Sequence, residues 1–444
     1  MIRIWIVLLL LVISTAVKSQ SCFETTGFIK SNDGKVVAAL RTSWDGVVPL
    51  ANVSTIEALF GEFVACINHK FIITTENRSM ASLEQSVSEI FSASDQYALT
   101  HLYHAETFDL WVVSFPNLKP ESKRWILNYK KLQQVFAPQN VVPDIAFIEK
   151  LSSESEESPA ERNSTSRRPL SHYFSKLWKS STGEGVAVAV IDDGFNLDHP
   201  SLRSHRQPQR QQVASQKSSN ERHHGTLVAT SLFALHQAPF QFGIAPNAQF
   251  VPIPLGQTYT SNLIELFAAA KSKHVDIINL SWVLPLITQP LTAVIEDLSI
   301  HGRQNKGIII IAAAGNTLPE FKGVLSLAGI ESIIVVNGIR TRNSKPMMAY
   351  GDYIDIGAPS SFLTNHPVNV NSTFKFSGSS AATVFVSGLA ALALARCPSL
   401  TNDEFQTHLY KTAAKVDPAY QQHVGAGEVD IQRFWQRLEY HCKA

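Results

Sequence analysis

Four short stretches of this sequence each place a reactive or hydrogen-bonding side chain where a predicted secondary-structure element begins or ends. Asp192 ends the apolar run VAVID, and Asn316 follows IIIIAAAG. His224 and Ser380 lie at the starts of the helical stretches HGTLVATSLFAL and SSAATVFVSGLAALAL. A serine hydroxyl attacks a carbonyl only when a base accepts its proton, and a carboxylate must hold the tautomer of that base. An amide can donate to the resulting oxyanion. The four residue types are therefore sufficient for nucleophilic acyl chemistry.

Each of these residues also has a purely structural interpretation. Aspartate after a strand is commonly a turn or cap residue, asparagine after glycine forms turns, and serine before a helix is an N-cap. His223 stands beside His224, and nothing local decides which of the two imidazoles is the base. The order Asp, His, Asn, Ser along the chain makes the joint catalytic interpretation the favoured one.

The elements that must position these residues form a doubly wound α/β pattern. GVAVAVID, FVPIPL, VDIINLS, GIIIIAAAGN and SIIVVNGI are short, nearly all-apolar runs, as expected for strands buried on both faces of a parallel sheet. Helical stretches fall between them. In such sheets, sites form at the carboxyl ends of the strands. We therefore expect Asp192, Ser281 and Asn316 to meet at one edge of the sheet.

The motifs around these residues resemble those of subtilisin-like serine proteases (subtilases). The family's aspartate ends V-I-D-x-G, here VIDDG, and its base begins H-G-T-x-V-A, here HGTLVA at His224. The oxyanion asparagine ends AAGN, and the nucleophile lies in GSSAA at Ser380. The resemblance spans residues 181 to 435. It implies the catalytic residues Asp192, His224, Ser380 and Asn316, with His223 as a structural neighbour.

The substrate-binding strand departs from the family pattern. The resemblance assigns substrate contacts to Ser281, Trp282, Val283 and Gly315, but the family's Ser-x-Gly-Gly reads SWVL here. Glycine at these positions lets a substrate backbone and a large P1 side chain approach closely. Side chains at Val283 and Leu284 are therefore expected to narrow the pocket or to redirect specificity.

Other departures concern the nucleophile helix and a cation site. Ser379 replaces the family's usual threonine and Val384 its usual proline, and both changes are expected to be mild. Ser201 stands where many subtilisins carry a calcium-binding aspartate. Calcium requires charged oxygen ligands. We expect neither a metal nor a cofactor.

The N-terminus predicts export. Arg3 is followed by IWIVLLLLVISTAV and then by the polar KSQS, which is the pattern of a signal peptide over residues 1–19. The chain has 4 cysteines, two near each end. In an oxidising compartment two disulfides, one per region, are favoured over four free thiols. A net charge of +1 gives no indication of nucleic-acid binding.

The rest of the chain divides by composition. Residues 151–178 are a polar linker, and residues 179–444 are the predicted peptidase domain. Residues 69–150 show the order β-α-β-β-α-β of a small α+β ferredoxin-like domain. The subtilase resemblance makes this domain an inhibitory propeptide. Residues 20–68 form an extension that the sequence does not place.

The sequence therefore predicts an exported serine endopeptidase, made as a self-inhibited zymogen. Its partners would be protein or peptide substrates and its own propeptide. We expect a monomer that contacts a membrane only during export and binds no nucleic acid. The alternative is a catalytically weak or inactive peptide-binding protein of the same fold, which the SWVL departure favours. An α/β-hydrolase esterase would need G-x-S-x-G and the order Ser, Asp, His, and both are contradicted.

Overall fold

The computed structural model describes two compact units. It covers residues 63–149, 169–205, 224–236, 243–316, 327–368 and 372–443, without positions 77, 93–94, 120–121, 138–139, 285–286, 341–344 and 348, together with short strands between residues 21 and 59. Unit 1 consists of Met1–Ser152, Gln257–Glu265 and Pro285–Val294. Unit 2 consists of Ser153–Gly256, Leu266–Leu284 and Ile295–Ala444. The predicted signal peptide, residues 1–19, lies outside the described residues.

Unit 1 contains two antiparallel sheets. Its elements are β1 (Ser21–Glu24), β2 (Gly27–Lys30), β3 (Val36–Leu40), β4 (Val48–Pro49), β5 (Glu57–Leu59), β6 (Phe63–Thr75), α1 (Met80–Ser88), β7 (Ala98–His104), β8 (Asp109–Ser114), α2 (Lys123–Phe136) and β9 (Val141–Glu149). One sheet has the order β1-β6-β8-β7, with β9 also paired to β6, and the other has the order β4-β3-β2-β5. From residue 63 onward the elements follow the order β-α-β-β-α-β.

Aromatic packing holds helix α2 on the larger sheet of unit 1. The Phe71 ring on β6 lies 4.9 Å from the Trp125 ring and 5.7 Å from the Tyr129 ring, measured between centroids. All three side chains are buried. They are large side chains, and their burial contributes to the stability of this unit. The helix begins after Ser122, whose hydroxyl accepts the Trp125 N–H.

Unit 2 is built on a seven-stranded, mostly parallel sheet. Its strands are β10 (Ala187–Asp192), β11 (Gln249–Pro254), β12 (Ile277–Leu280), β13 (Ile309–Ala313), β14 (Ile334–Arg340), β15 (Lys345–Pro346) and β16 (Ile356–Pro359). The order is β11-β10-β12-β13-β14-β15, with β16 also paired to β14, and only the β14–β15 pairing is antiparallel. A separate hairpin joins β17 (Ser361–Asn365) to β18 (Thr373–Ser377). The predicted α/β fold is confirmed.

Helices accompany this sheet. They are α3 (Ser171–Phe174), α4 (His224–Phe233), α5 (Thr260–Ser272), α6 (Gln289–Asn305), α7 (Ser379–Arg396), α8 (Asn402–Thr412), α9 (Gln421–Val424) and α10 (Ile431–His441). Helices α5 and α6 begin in segments that belong to unit 1. Among the described residues, α7 is the one helix long and apolar enough to cross a membrane, and 89% of that stretch is buried. It is therefore the core helix of unit 2.

The boundary between linker and peptidase domain can be compared with the structure only in part. Residues 150–168 lie outside the described residues. From Leu170 onward the chain already contributes to the core of unit 2, because Leu170, Phe174 and Leu177 are buried there. The packing of unit 2 thus begins before residue 179.

The cysteines near the C-terminus form a disulfide. Cys397 follows α7 and is bonded to Cys442 at the end of α10. This agrees with a bridge in the C-terminal region. Cys22 and Cys66 are directly opposite each other in the β1–β6 pairing. Their side chains are outside the description, so the second bridge stays a prediction.

Candidate active site

Asp192 and His224 form a hydrogen-bonded pair. Asp192 is the last residue of β10 and its side chain is only 2% exposed, while His224 is the first residue of α4. The Nδ1 of His224 lies 2.8 Å from the Oδ1 of Asp192. A Cβ on Gly225 would lie 2.3 Å from the carbonyl oxygen of Gly194, so only glycine lets this helix start so near the strand. Two residues far apart in sequence thus come together as predicted.

The environment of His224 raises its pKa. Burial of the ring lowers the pKa, but the hydrogen bond and charge of Asp192 and the charge of Asp193 outweigh that effect. The side chain keeps 37% of its surface exposed. Because Nδ1 is engaged by Asp192, Nε2 is the nitrogen left to exchange a proton with a substrate or nucleophile.

Replacing Asp193 is expected to move the pH dependence of activity. Asp193→Asn removes a negative charge near the imidazole but keeps an oxygen that can accept the Gly225 N–H, now 2.9 Å away. The pKa of His224 should fall, so the acid limb of the kcat/KM profile should shift towards lower pH. Steady-state kinetics across pH measure this. The matched control Asp403→Asn removes the same charge from helix α8 and should leave the limb in place. An unmoved limb in Asp193→Asn would show that the charge of Asp193 does not contribute to the raised pKa of His224.

Ser380 is the second residue of α7, and its hydroxyl does not bond to His224. It donates instead to the carbonyl oxygen of Ser281, at 2.8 Å. The Ser281 hydroxyl lies 3.3 Å from the carbonyl oxygen of Ser380, which is a second and more distant acceptor than Oδ1 of Asn279 at 2.9 Å. These two contacts join the start of α7 to the segment after β12. Catalytic hydrogen bonds are often absent or long before substrate binds. For the nucleophile role, χ1 of Ser380 would have to rotate towards the imidazole.

Asn316 has a fixed amide orientation. It follows β13, and its Oδ1 accepts the backbone N–H of Ser379 at 2.8 Å and the Ser379 hydroxyl at 3.0 Å. Since both donors require the oxygen on their side, Nδ2 must point the other way. In the described part of the chain no acceptor bonds to this Nδ2. Gly378, with φ of +99°, leaves room for the amide, because a Cβ there would lie 3.0 Å from Oδ1.

Ser379 contacts this amide directly, and we expect it to be a positioning residue for Asn316. Its hydroxyl donates to Asn316 and also accepts the Gly315 N–H at 3.2 Å. Ser379→Ala should therefore lower kcat by roughly three- to tenfold, since a neutral hydrogen bond contributes about 1 kcal/mol and 1.36 kcal/mol corresponds to tenfold. KM should hardly change. Ser379→Thr, which keeps the hydroxyl, should restore kcat. Equal losses in both variants would mean that packing, not the hydrogen bond, matters here.

The predicted substrate-binding residues do not share one orientation. Ser281 is buried and its hydroxyl also donates to Asn279. The Trp282 indole donates to the carbonyl oxygen of Ile191, at 2.7 Å, which ties this segment to the aspartate strand. Val283 is 46% exposed, whereas Leu284 is only 4% exposed. We expected both Val283 and Leu284 to narrow a pocket. Because the Leu284 side chain is buried, only Val283 can do so.

The same region contains a compact set of groups that could ligate a metal ion. Ligand atoms of Asp192, Asp193 and His224 lie within 4.8 Å of one another. The His224 nitrogen that faces Asp192 is already in a hydrogen bond, so a metal bound there would break the hydrogen bond between Asp192 and His224.

The sequence did not single out Asp193, and it indicated Ser379 only as a mild departure from the family pattern. The sequence did offer an indication, because Asp193 directly follows Asp192 and Ser379 directly precedes Ser380.

Comparison with known proteins connects this geometry to a family. The sequence model of the subtilase family matches residues 183–427. A thermostable alkaline protease of Halalkalibacterium halodurans is 31% identical over 249 residues, which cover 52% of this chain and 63% of that protein. Subtilisin NAT of Bacillus subtilis subsp. natto is 27% identical over 307 residues, which cover 65% of this chain and 75% of that protein.

Solved structures agree on the fold. The crystal structure of fervidolysin from Fervidobacterium pennivorans, a keratinolytic enzyme related to subtilisin, superposes with a TM-score of 0.64 at 17% identity, covering 93% of this chain and 63% of that one. The family match over residues 183–427 assigns the chain to a class of serine-type endopeptidases. The chain belongs to the subtilase family. The alignment spans less than two thirds of the alkaline protease's length.

Proposed function

We propose that the protein is an exported serine endopeptidase, whose catalytic residues are Asp192, His224, Ser380 and Asn316. The observation that carries the proposal is the 2.8 Å bond between the buried Asp192 and His224. A carboxylate that holds one imidazole nitrogen leaves the other free to act as a base. The anchored amide of Asn316, beside the start of the Ser380 helix, supports the same conclusion.

In this mechanism the Ser380 oxygen attacks a peptide carbonyl while Nε2 of His224 takes its proton. Asp192 holds the imidazole and stabilises the imidazolium. The tetrahedral oxyanion accepts hydrogen bonds from Nδ2 of Asn316 and from the backbone N–H of Ser380, which, being in the first turn of α7, needs no intrahelical acceptor. The imidazolium then protonates the leaving amine, and water hydrolyses the acyl-enzyme by the reverse proton route.

The substrate would lie as an extended strand beside Ser281, Trp282 and Val283. Backbone hydrogen bonds with an extended peptide suit an endopeptidase, because they are independent of the substrate's side chains. The mutual contacts of Ser281 and Ser380 hold this segment at the nucleophile.

The zymogen proposal assigns residues 69–150 to an inhibitory propeptide. Its support is the β-α-β-β-α-β order in unit 1 and a set of contacts made by the buried Asp144 of β9. Asp144 accepts the N–H of Ser261 at 2.8 Å, the hydroxyl of Ser261 at 2.7 Å and the Asn68 amide at 2.8 Å. Ser261 lies in the first turn of α5, where unpaired N–H groups favour a carboxylate. We place the self-cleaved bond after β9, between Glu149 and Pro169.

The test is hydrolysis of casein by protein that is expressed as the full-length chain and then allowed to mature. We expect activity that a fluorophosphonate abolishes and that a chelator leaves unchanged, because the mechanism uses no metal. Loss of activity on chelation would favour the metal-binding interpretation of Asp192, Asp193 and His224.

A second candidate is a peptide-binding protein of the same fold with little or no catalysis. It is favoured by the exposed Val283 on the substrate segment and by the Ser380 hydroxyl bonding to Ser281. Peptide binding without fluorophosphonate labelling of Ser380 would establish this alternative and exclude the endopeptidase.

A further inference from the structure

Among the described residues, one exposed side chain approaches Gly315, the residue before Asn316. The backbone of Gly315 has φ of +99°, and a Cβ built on it would have one neighbour within 4 Å in the described part of the chain. That neighbour is Cγ2 of Val283, at 3.5 Å. Carbon atoms make optimal contact at about 3.5–4.0 Å, so a single carbon added on this face of Gly315 would already touch Val283.

The proposed reaction places the P1 residue at this gap. Its carbonyl carbon must be within reach of the Ser380 hydroxyl while its oxygen points to Nδ2 of Asn316. The P1 residue then lies against the Ser281–Val283 backbone and in front of Gly315. The subtilase resemblance assigns both Gly315 and Val283 to substrate contact, so in this proposal the P1 side chain enters between them.

We propose that Val283 makes this peptidase selective for small P1 residues, glycine, alanine or serine, and excludes aromatic ones. This inference rests on the proposed function. A β-branched valine has few accessible χ1 rotamers, so it does not swing aside as a longer side chain would. Leu284 plays no part because it is buried. Selectivity of this kind is decided by the transition-state contacts that a P1 side chain can make.

The experiment uses protein that is expressed as the full-length chain and then allowed to mature. Its substrates are succinyl tetrapeptide p-nitroanilides that differ only at P1. The wild-type protein should cleave the alanine substrate with a kcat/KM at least about tenfold above that for phenylalanine. Val283→Gly should raise the phenylalanine value by at least about tenfold and change the alanine value by less than about threefold. Opening one side of a pocket by a few methyl groups is worth about this much.

Two variants control for folding and for nonspecific effects. Val283→Ala should give an intermediate ratio of kcat/KM for the alanine and phenylalanine substrates. If Val283→Gly folds poorly, Val283→Ala still provides the test because it keeps a side chain. Val368→Gly removes another exposed valine, in the turn after β17, and should leave the ratio of the two substrates unchanged.

The outcomes separate this inference from the proposed function. A wild-type preference for phenylalanine, or a ratio that Val283→Gly leaves within twofold, would overturn the role of Val283 while the endopeptidase stands. No cleavage of any substrate, together with no fluorophosphonate labelling, would overturn the proposed function and the inference with it.

Discussion

Replacing Ser380 by alanine is expected to lower kcat for peptide hydrolysis by about 10⁶, the loss that follows removal of the corresponding serine in subtilisin. The variant lacks the oxygen that forms the acyl-enzyme, so His224 and Asn316 are left to act on water alone. Single-turnover and steady-state assays with a p-nitroanilide substrate measure the loss. Binding should change little, because Cβ of residue 380 remains and the Trp282 indole still ties the segment to β10 through the carbonyl oxygen of Ile191.

The same variant tests self-maturation. A Ser380→Ala chain should persist as the uncut precursor, whereas wild-type protein should yield a mature fragment whose N-terminus lies after β9. The matched control is Ser379→Ala, which removes a hydroxyl one residue away and should still mature and react with a fluorophosphonate. A Ser380→Ala precursor that is processed in isolation at the wild-type site would contradict self-cleavage. Retained hydrolysis would contradict the nucleophile assignment.

Removing the amide donor of Asn316 should have the next largest effect. Asn316→Ala is expected to lower kcat by about 10²–10³, the loss found for an oxyanion-hole asparagine in subtilisin. KM should stay near its wild-type value, because the oxyanion exists in the transition state and not in the bound substrate. Steady-state kinetics separate the two constants. A raised KM with unchanged kcat would mean that Asn316 contacts the ground state only.

A second substitution separates loss of the donor from loss of the anchor. Asn316→Asp retains an oxygen for the Ser379 N–H and hydroxyl, which the alanine variant leaves without an acceptor. It cannot donate to an oxyanion, so its kcat should be at least as low as that of Asn316→Ala. Asn247→Ala, which removes an exposed asparagine that bonds to Thr182 and Glu184, should leave kcat unchanged. Near-normal kcat in Asn316→Asp would show that the anchoring oxygen matters and the donor does not.

The sequence by itself determined the α/β fold of the peptidase domain and the positions of its key residues along the strands and helices. Runs such as VAVID and IIIIAAAGN are short, apolar and β-branched, and this local signal suffices to predict a buried parallel strand. Asp192 and Asn316 follow from where those runs end. Because parallel strands present their carboxyl ends at one edge, Asp192, Ser281 and Asn316 were expected there, whereas the pairing of Asp192 with His224 followed from the subtilase resemblance.

Only the tertiary structure decided which way individual side chains face and which atoms they contact. The sequence SWVL predicts that Val283 and Leu284 both face the substrate, yet Val283 is exposed and Leu284 is buried. Ser281, whose carbonyl oxygen accepts the Ser380 hydroxyl, lies 99 residues earlier in the chain. Ser379, whose N–H donates to the Asn316 amide oxygen, lies 63 residues after Asn316. Local periodicity is set by neighbours a few residues away, whereas a rotamer is set by whatever packs against it. Those neighbours come from distant segments, so the choice is fixed only when the chain has folded.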